Sequence, residues 1–173
     1  MVARPRLGSP SRTSLAAALA TGRTPPAGFT LVELLIVVAI IATLASISVP
    51  LYLGLSDRAR IAKAMSDIRV LEREIALFEL DRKRLPVDLG EISRAALKDP
   101  WHNAYEYLSF VAAGPEWKGS ARKDRSLVPL NSTYDLYSTG KDGLSASALT
   151  AIASGDDIIR ANDGGYVGLA SGY

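Results

Sequence analysis

The 173-residue chain contains no cysteine, a single histidine and few aromatic side chains, which make up 7% of its residues. Without cysteine there is no disulfide bond, thiolate zinc site or cysteine nucleophile. No Ser/His/Asp or Cys/His arrangement is visible, so the sequence favours a protein that is not an enzyme. His102, the single histidine, is interpreted as an exposed loop residue rather than as a metal ligand or a catalytic base.

Acidic residues are absent from the first 28 positions. This segment carries four arginines, Arg4, Arg6, Arg12 and Arg23, whereas the remaining residues hold 16 basic and 18 acidic side chains. By the positive-inside rule, this asymmetry predicts a cytoplasmic N-terminus and a C-terminal domain on the other side of a membrane. The C-terminal domain shows no basic patch, so nucleic acid is not an expected partner.

Long apolar runs are also scarce, and residues 29–49 form the one run long enough to span a membrane. As a helix, these 21 residues reach about 31 Å, close to the thickness of a bilayer hydrocarbon core. Glu33 is the one ionisable residue in the run. Because a charge buried there costs about 3 kcal/mol or more, Glu33 needs an interface or a partner.

A capping box is one explanation for Glu33. Thr30 stands three positions before it, so the Thr30 hydroxyl is expected to accept from the Glu33 amide while the glutamate reaches back to the Thr30 amide. This arrangement satisfies free amides at the helix start and suits the positive end of the helix dipole. Capping alone therefore explains why a glutamate is tolerated.

The helix is expected to continue beyond the apolar run to about Leu80, with a kink at Pro50. Apolar residues recur at steps of three and four and define one face: Ile61, Met65, Ile68, Leu71 or Glu72, Ile75 and Phe78. Charged residues are expected largely on the other faces: Arg58, Lys63, Asp67, Arg69, Arg73 and Glu74. Residues 29–80 are thus predicted to form one long N-terminal helix.

The rest of the chain is predicted to be a small antiparallel sheet joined by loops. Alternation and flanking turn residues indicate strands at 104–113 and 132–140. The other segments are interpreted as a polar connector with a short helix at 91–97, a turn at 114–120, a charged and solvated loop at 121–127, and a loop-like tail after residue 160. The predicted fold class is therefore α+β.

The string Gly28-Phe29-Thr30-Leu31-Val32-Glu33, followed by the apolar run, resembles the class III signal of type IV pilins and type II secretion pseudopilins. The resemblance implies that residues 1–28 are a leader, that prepilin peptidase cleaves after Gly28, and that the new N-terminal Phe29 is methylated. It also implies that Glu33 offsets the α-amino charge of Phe29 in a neighbouring subunit of a filament. Capping and subunit pairing remain alternative roles for Glu33.

Four strings further along the chain, "LFELDRKRLP", "DPWHNAYEY", "YDLYSTGKDG" and "GDDI", resemble the major, G-type pseudopilin family of type II secretion. The resemblance implies a type IV pilin-like fold, with a span at 29–49 and a periplasmic domain at 81–173. It implies a structural subunit of an inner-membrane-anchored, homopolymeric pseudopilus that works with minor pseudopilins and an inner-membrane assembly platform. The alternatives are a type IV pilus subunit and an uncleaved domain anchored by a single span.

Asp142, Asp156 and Asp157 lie in glycine-flanked loops, where carboxylates and inward-turned carbonyls suit a hard cation such as Ca²⁺. Spacing alone also fits ordinary acidic surface loops. The resemblance implies that Ca²⁺ is bound by these three side chains and by backbone carbonyls at Thr139 and Ser154.

This sequence departs from the family pattern by a longer segment, residues 144–154, between the two acidic parts of the loop region. A Ca²⁺ ion that closes these loops is expected to support the fold of a small domain without disulfides.

Overall fold

The computed structural model describes residues 28–173, so the predicted leader up to residue 27 lies outside the described residues. The described residues divide into two compact units, 28–44 and 45–173. The main elements are helix α1 (Leu31–Arg82), strands β1 (Tyr105–Ser109) and β2 (Tyr134–Ser138), strands β3 (Ile158–Ala161) and β4 (Tyr166–Leu169), and a one-turn helix α2 (Trp117–Ser120). Four short 3₁₀ turns complete the order of elements. The structure confirms the predicted α+β class.

Helix α1 begins and ends within two residues of the predicted bounds. Pro50 lies inside it, and the helix continues to Arg82, so the proline does not terminate it. The predicted apolar face is also confirmed, because Ile68, Leu71 and Ile75 are buried. Asp67 was placed wrongly. It is buried on this same face and its carboxylate accepts a 3.1 Å hydrogen bond from the Tyr105 hydroxyl.

The four strands form one antiparallel sheet in the order β1-β2-β3-β4. Tyr107 pairs with Leu136 across β1 and β2, and Ser138 pairs with Ile158 across β2 and β3. The α1-facing core combines the helix stripe with side chains from the sheet and its approaches: Ala64, Ile68, Leu71, Ile75, Leu89, Tyr105, Tyr134, Leu136, Ile158 and Val167. The packing of this face of the sheet against α1 thus forms the larger core.

The opposite face of the sheet is covered as well, by the segments before and after β2 and by the turn after β4. Ile159 and Ala161 pack there with Leu130, Leu149 and Ala170. All four residues of β3 are therefore buried. A strand buried on both faces does not alternate between polar and apolar residues, which is why the sequence did not reveal it.

Two further sequence expectations are wrong. The tail after residue 160 is not a loop but contains β4, a four-residue strand set between 3₁₀ turns, which is too short to give a periodic signal. Residues 91–97 form turns rather than a helix. Ser93 has a φ of 61°, which breaks a right-handed helix, and Arg94 instead turns its side chain to Glu74 on α1.

Candidate functional site

The predicted processing junction lies directly before α1. Phe29 is 87% exposed, and Gly28 is also at the surface of the described structure. Thr30 is the last residue before the helix. Both residues of the junction are thus placed where a peptidase could reach them, and cleavage itself stays a prediction.

Glu33 and Thr30 form the predicted capping box. The Glu33 amide donates to the Thr30 hydroxyl at 3.1 Å, and the Thr30 amide and hydroxyl each donate to Glu33 Oε2 at 2.9 Å. Within residues 28–173, Glu33 Oε1 has no hydrogen-bond partner. The capping interpretation is confirmed, and it leaves one carboxylate oxygen available for the second predicted role, which stays a prediction.

The apolar residues that follow Glu33 are exposed along the helix. Large side chains from Leu31 to Leu55 each keep about half or more of their surface accessible, as Leu34 at 61% and Ile41 at 59% illustrate. By length and composition, α1 is the one described helix able to cross a membrane. Such a surface is suited to lipid or to other apolar helices.

Two of the three predicted metal ligands lie in adjoining loops. Asp156 Oδ2 accepts from the backbone amides of Lys141 and Asp142 at 2.7 and 3.0 Å. Asp142 is exposed, and its Oδ1 accepts from the Leu144 amide at 2.8 Å. The two loops approach so closely at Gly140, which has a φ of 65°, that a Cβ there would lie 2.3 Å from the Asp156 carbonyl oxygen. Both carboxylates thus organise the turn after β2.

The third predicted ligand, Asp157, has different hydrogen-bond partners from Asp142 and Asp156. Its side chain is fully buried, and Oδ2 accepts from Arg122 Nη2 at 2.5 Å and from the Ser145 hydroxyl at 2.6 Å. Burial raises the pKa of Asp157, while the hydrogen bonds from Ser145 and Arg122 oppose that rise. The adjacent acids Asp156 and Asp157 therefore bind different partners, as expected for neighbouring residues.

Arg122 contradicts the prediction that residues 121–127 form a solvated charged loop. Its side chain is only 2% exposed, and its guanidinium lies 4.2 Å from the centre of the Tyr137 ring. The Arg122 amide donates to Asp135 Oδ2 at 2.6 Å. A neighbouring arginine, Arg125, is exposed and fits the prediction, so only part of the segment is solvated.

Comparison with known proteins identifies related chains. Residues 24–49 match the prokaryotic N-terminal methylation motif. The type II secretion system core protein G of Pectobacterium carotovorum subsp. carotovorum is 42% identical over 120 residues, which cover 68% of this chain and 77% of the relative. The proteins of that name from Escherichia coli (strain K12) and Vibrio cholerae serotype O1 are 35% and 33% identical, over 67% of this chain and 82% and 81% of the relatives. No solved structure matches the chain significantly.

The chain belongs to the type II secretion system core protein G family. This family is that of the pseudopilin, so the predicted structural subunit of a pseudopilus is confirmed. The relatives do not support the alternative of a type IV pilus subunit. The apolar helix and the methylation motif suit membrane anchoring of a core protein G subunit.

The donor set predicted for Ca²⁺ in this core protein G has suitable chemistry but does not form a metal site as placed. Ser154 is buried, and its carbonyl accepts from the Asp157 amide at 3.2 Å, while Thr139 is half-buried beside Gly140. Within residues 28–173, no group of three or more His, Cys, Asp or Glu side chains is positioned to hold a metal ion. One observation favours a ligand, since Asp157 Oδ1 is buried without a hydrogen-bond partner. Ca²⁺ binding stays a prediction.

Two buried arginines were missed from the sequence. Arg160 on β3 donates to Glu72 Oε1 at 2.8 Å and to Asn131 Oδ1 at 3.0 Å, and it lies 4.1 Å from the centre of the Tyr134 ring. Glu72 was considered for the apolar stripe of α1, and its position there lets it meet Arg160. The signal that could have revealed Arg160 is its place in an otherwise apolar string, "IIRA".

Proposed function

We propose that this pseudopilin polymerises through its N-terminal helix into a periplasmic pseudopilus that supports export of folded proteins by type II secretion. The observation that carries the proposal is the exposed apolar surface of α1 directly after the Gly28-Phe29 junction. A surface of this kind needs lipid before assembly and neighbouring helices after it. The folded domain at the other end of the chain remains outside the membrane.

The topology and the partners are part of the same proposal. The four arginines before the span favour a cytoplasmic N-terminus in the inner membrane, with the sheet domain in the periplasm. Prepilin peptidase is the enzyme proposed to remove residues 1–28 and methylate Phe29. Minor pseudopilins and an inner-membrane assembly platform are the proposed partners of the growing homopolymer.

Glu33 is proposed to pair with the α-amino group of Phe29 in an adjacent subunit. Its Oε2 already serves the capping box, so Oε1 is the oxygen that would accept the neighbouring ammonium. Pairing offsets the cost of burying both charges in an apolar helix bundle. Since that partner is present only in the correct subunit arrangement, the pair would also select the register of the filament.

Processing is tested by mass spectrometry of protein extracted from membranes. We expect a chain that begins with N-methylated Phe29, slower processing in Gly28→Ala, and no processing in Gly28→Lys, because a long side chain obstructs the cleavage position. Thr43→Ser, a substitution inside the span, is the control and should be processed normally. A mature protein that still carries Arg4 to Arg23 would contradict the proposal.

A further inference from the structure

We propose that Arg122 is the built-in counter-cation of Asp157 and closes the C-terminal loops of this pseudopilin without a metal ion. The inference rests on the contacts of the folded domain and not on filament assembly. It concerns the place where the family resemblance predicts Ca²⁺. An arginine that neutralises one of the three predicted ligands changes what that loop region can bind.

The guanidinium of Arg122 is enclosed by polar groups from one side and by an aromatic ring from the other. Nη2 donates to Asp157 Oδ2 at 2.5 Å, and Nη1 donates to the Ala146 carbonyl at 2.8 Å and to the Ser145 hydroxyl. The Tyr137 ring supplies a cation–π contact. The paired side chains are only 2% and 0% exposed, so each charge is stabilised chiefly by the other.

The longer segment that distinguishes this sequence, residues 144–154, builds much of this enclosure. Ser145 and Ala146 supply contacts to Arg122, and the Ser154 hydroxyl fixes Ala146 by accepting from its amide at 3.0 Å and donating to its carbonyl at 2.9 Å. The Lys123 amide donates to the Ser147 carbonyl at 2.8 Å. The additional residues therefore hold the arginine in place rather than forming a separate loop.

The backbone of Arg122 is held independently of its side chain. Its amide donates to the buried Asp135 carboxylate, and its carbonyl accepts from the Leu130 amide at 3.1 Å. Asn131 in turn donates to Asp135 Oδ1 at 2.8 Å. These bonds keep the guanidinium from withdrawing to solvent.

Arg122 and Ca²⁺ are both positively charged, so they are alternative partners of the Asp157 carboxylate. A guanidinium stays protonated in proteins, so an ion bound by the same carboxylate would face a fixed positive charge at contact distance. Asp142 and Asp156 already accept hydrogen bonds from backbone amides. Arg122 Nε and Asp157 Oδ1 are buried and lack a hydrogen-bond partner among the described residues, so the pair is joined through Nη2 and Oδ2.

The test is thermal unfolding of the full chain in detergent micelles, followed by tryptophan fluorescence, in excess Ca²⁺, in Mg²⁺ and in chelator. We expect the wild type to melt at the same temperature in all three. Arg122→Gln should lower that temperature by about 10 °C, because it leaves the buried Asp157 carboxylate without its counter-charge. Arg125→Gln, which removes an exposed arginine of the same segment, is the matched control and should melt like the wild type.

Two further variants complete the test. Asp157→Asn combined with Arg122→Gln should melt at a higher temperature than Arg122→Gln alone, because no unpaired charge remains. If Arg122→Gln does not accumulate, Ser145→Ala removes one contact to each member of the pair and should still lower the melting temperature without creating a Ca²⁺ response. A Ca²⁺-dependent rise in the wild type overturns the proposal, whether or not Asp157→Asn abolishes it. The melting experiment does not measure filament assembly, so a failure of assembly would bear on the proposed function and not on this inference.

Discussion

The N-terminal part of α1 and the sheet domain distribute apolar and charged residues in opposite ways. In residues 29–55 the large apolar side chains are exposed. In the sheet domain and the part of α1 that contacts it, charged side chains are buried: Asp67, Asp99, Arg122, Asp135, Asp157 and Arg160. The first region exposes apolar side chains of the kind that a folded chain normally buries. The second buries charged side chains of the kind that a folded chain normally exposes.

The difference separates what a single subunit completes by itself from what it leaves to its surroundings. Each buried charge of the domain has a partner within the chain, as Arg160 has in Glu72 and Arg122 has in Asp157. The large apolar side chains of residues 29–55, in contrast, stay exposed among the described residues. The buried charges of the domain are therefore satisfied within one chain, whereas the apolar surface of the helix is of the kind that lipid or other apolar helices cover.

The largest expected effect concerns the one charge in the apolar region. Glu33→Gln keeps the capping box, since glutamine serves in such boxes, but removes the negative charge. We expect normal insertion and processing with loss of filaments, measured by electron microscopy of sheared fractions. Thr30→Ala is the matched control, because it breaks the hydroxyl contacts of the cap while preserving the charge, and it should still assemble.

Normal filaments from Glu33→Gln would mean that Glu33 acts only as a helix cap. Loss of filaments in both variants would show that assembly needs the cap as well as the charge, because Glu33→Gln keeps the cap and Thr30→Ala keeps the charge. The charge pairing predicted from the family resemblance requires that Glu33→Gln lose filaments while Thr30→Ala still forms them.

The next effect compares identical substitutions in the two parts of α1. Ile68 is fully buried against the sheet, whereas Ile41 is 59% exposed. Ile68→Ala should lower the free energy of unfolding of the domain by about 2–5 kcal/mol through lost burial and a cavity. Ile41→Ala should change it by less than about 0.5 kcal/mol. Both tryptophans lie in the domain, so denaturant unfolding followed by tryptophan fluorescence measures this quantity in the full chain.

Equal losses in the two variants would contradict the division between a self-contained domain and an exposed helix. A lower free energy of unfolding in Ile41→Ala alone would mean that the apolar segment, and not the buried face of α1, stabilises the domain. We expect neither outcome, because the buried residues of α1 lie from Ala64 to Ile75.

The elements that the sequence predicted well are those with a local signal. The apolar run and the three- and four-residue steps located α1 to within two residues, and alternation located β1 and β2. Thr30 and Glu33 are three positions apart, so their capping box was visible in the sequence itself. Such features depend on neighbours along the chain, which a sequence displays directly.

The features that the sequence did not predict depend on distant partners. Strand β3 is buried on both faces and so shows no alternation. Arg122 lies in a charged string that resembles a loop, and it becomes a core residue only because Asp157, 35 positions later, meets it. The three acidic residues were correctly placed in neighbouring loops, but the bonds of their carboxylates to backbone amides and to Arg122 were not readable from spacing.

The smallest expected effect is a pH dependence from an exposed ion pair of the connector. Arg84 donates to both Glu91 oxygens at 2.7 and 2.8 Å, and the Val87 amide also donates to Glu91 at 2.7 Å. These hydrogen bonds lower the pKa of Glu91 to about 2. Because the folded-state pKa is depressed, the stabilisation is complete above the unfolded value near 4.5 and is lost as the pH falls to 2.

Glu91→Gln keeps an acceptor for the Val87 amide but cannot pair with the Arg84 charge. The wild type should therefore melt slightly above this variant at pH 6, by no more than about 2–4 °C for a solvent-screened pair, and the difference should vanish as the pH approaches 2. Glu106→Gln on β1 is the control, because this exposed carboxylate makes no hydrogen bond or ion pair within residues 28–173, and its melting curve should follow the wild type throughout. A difference between the wild type and Glu91→Gln that grew on acidification would mean that the ionised carboxylate destabilises the connector, contrary to the observed contacts with Arg84 and Val87.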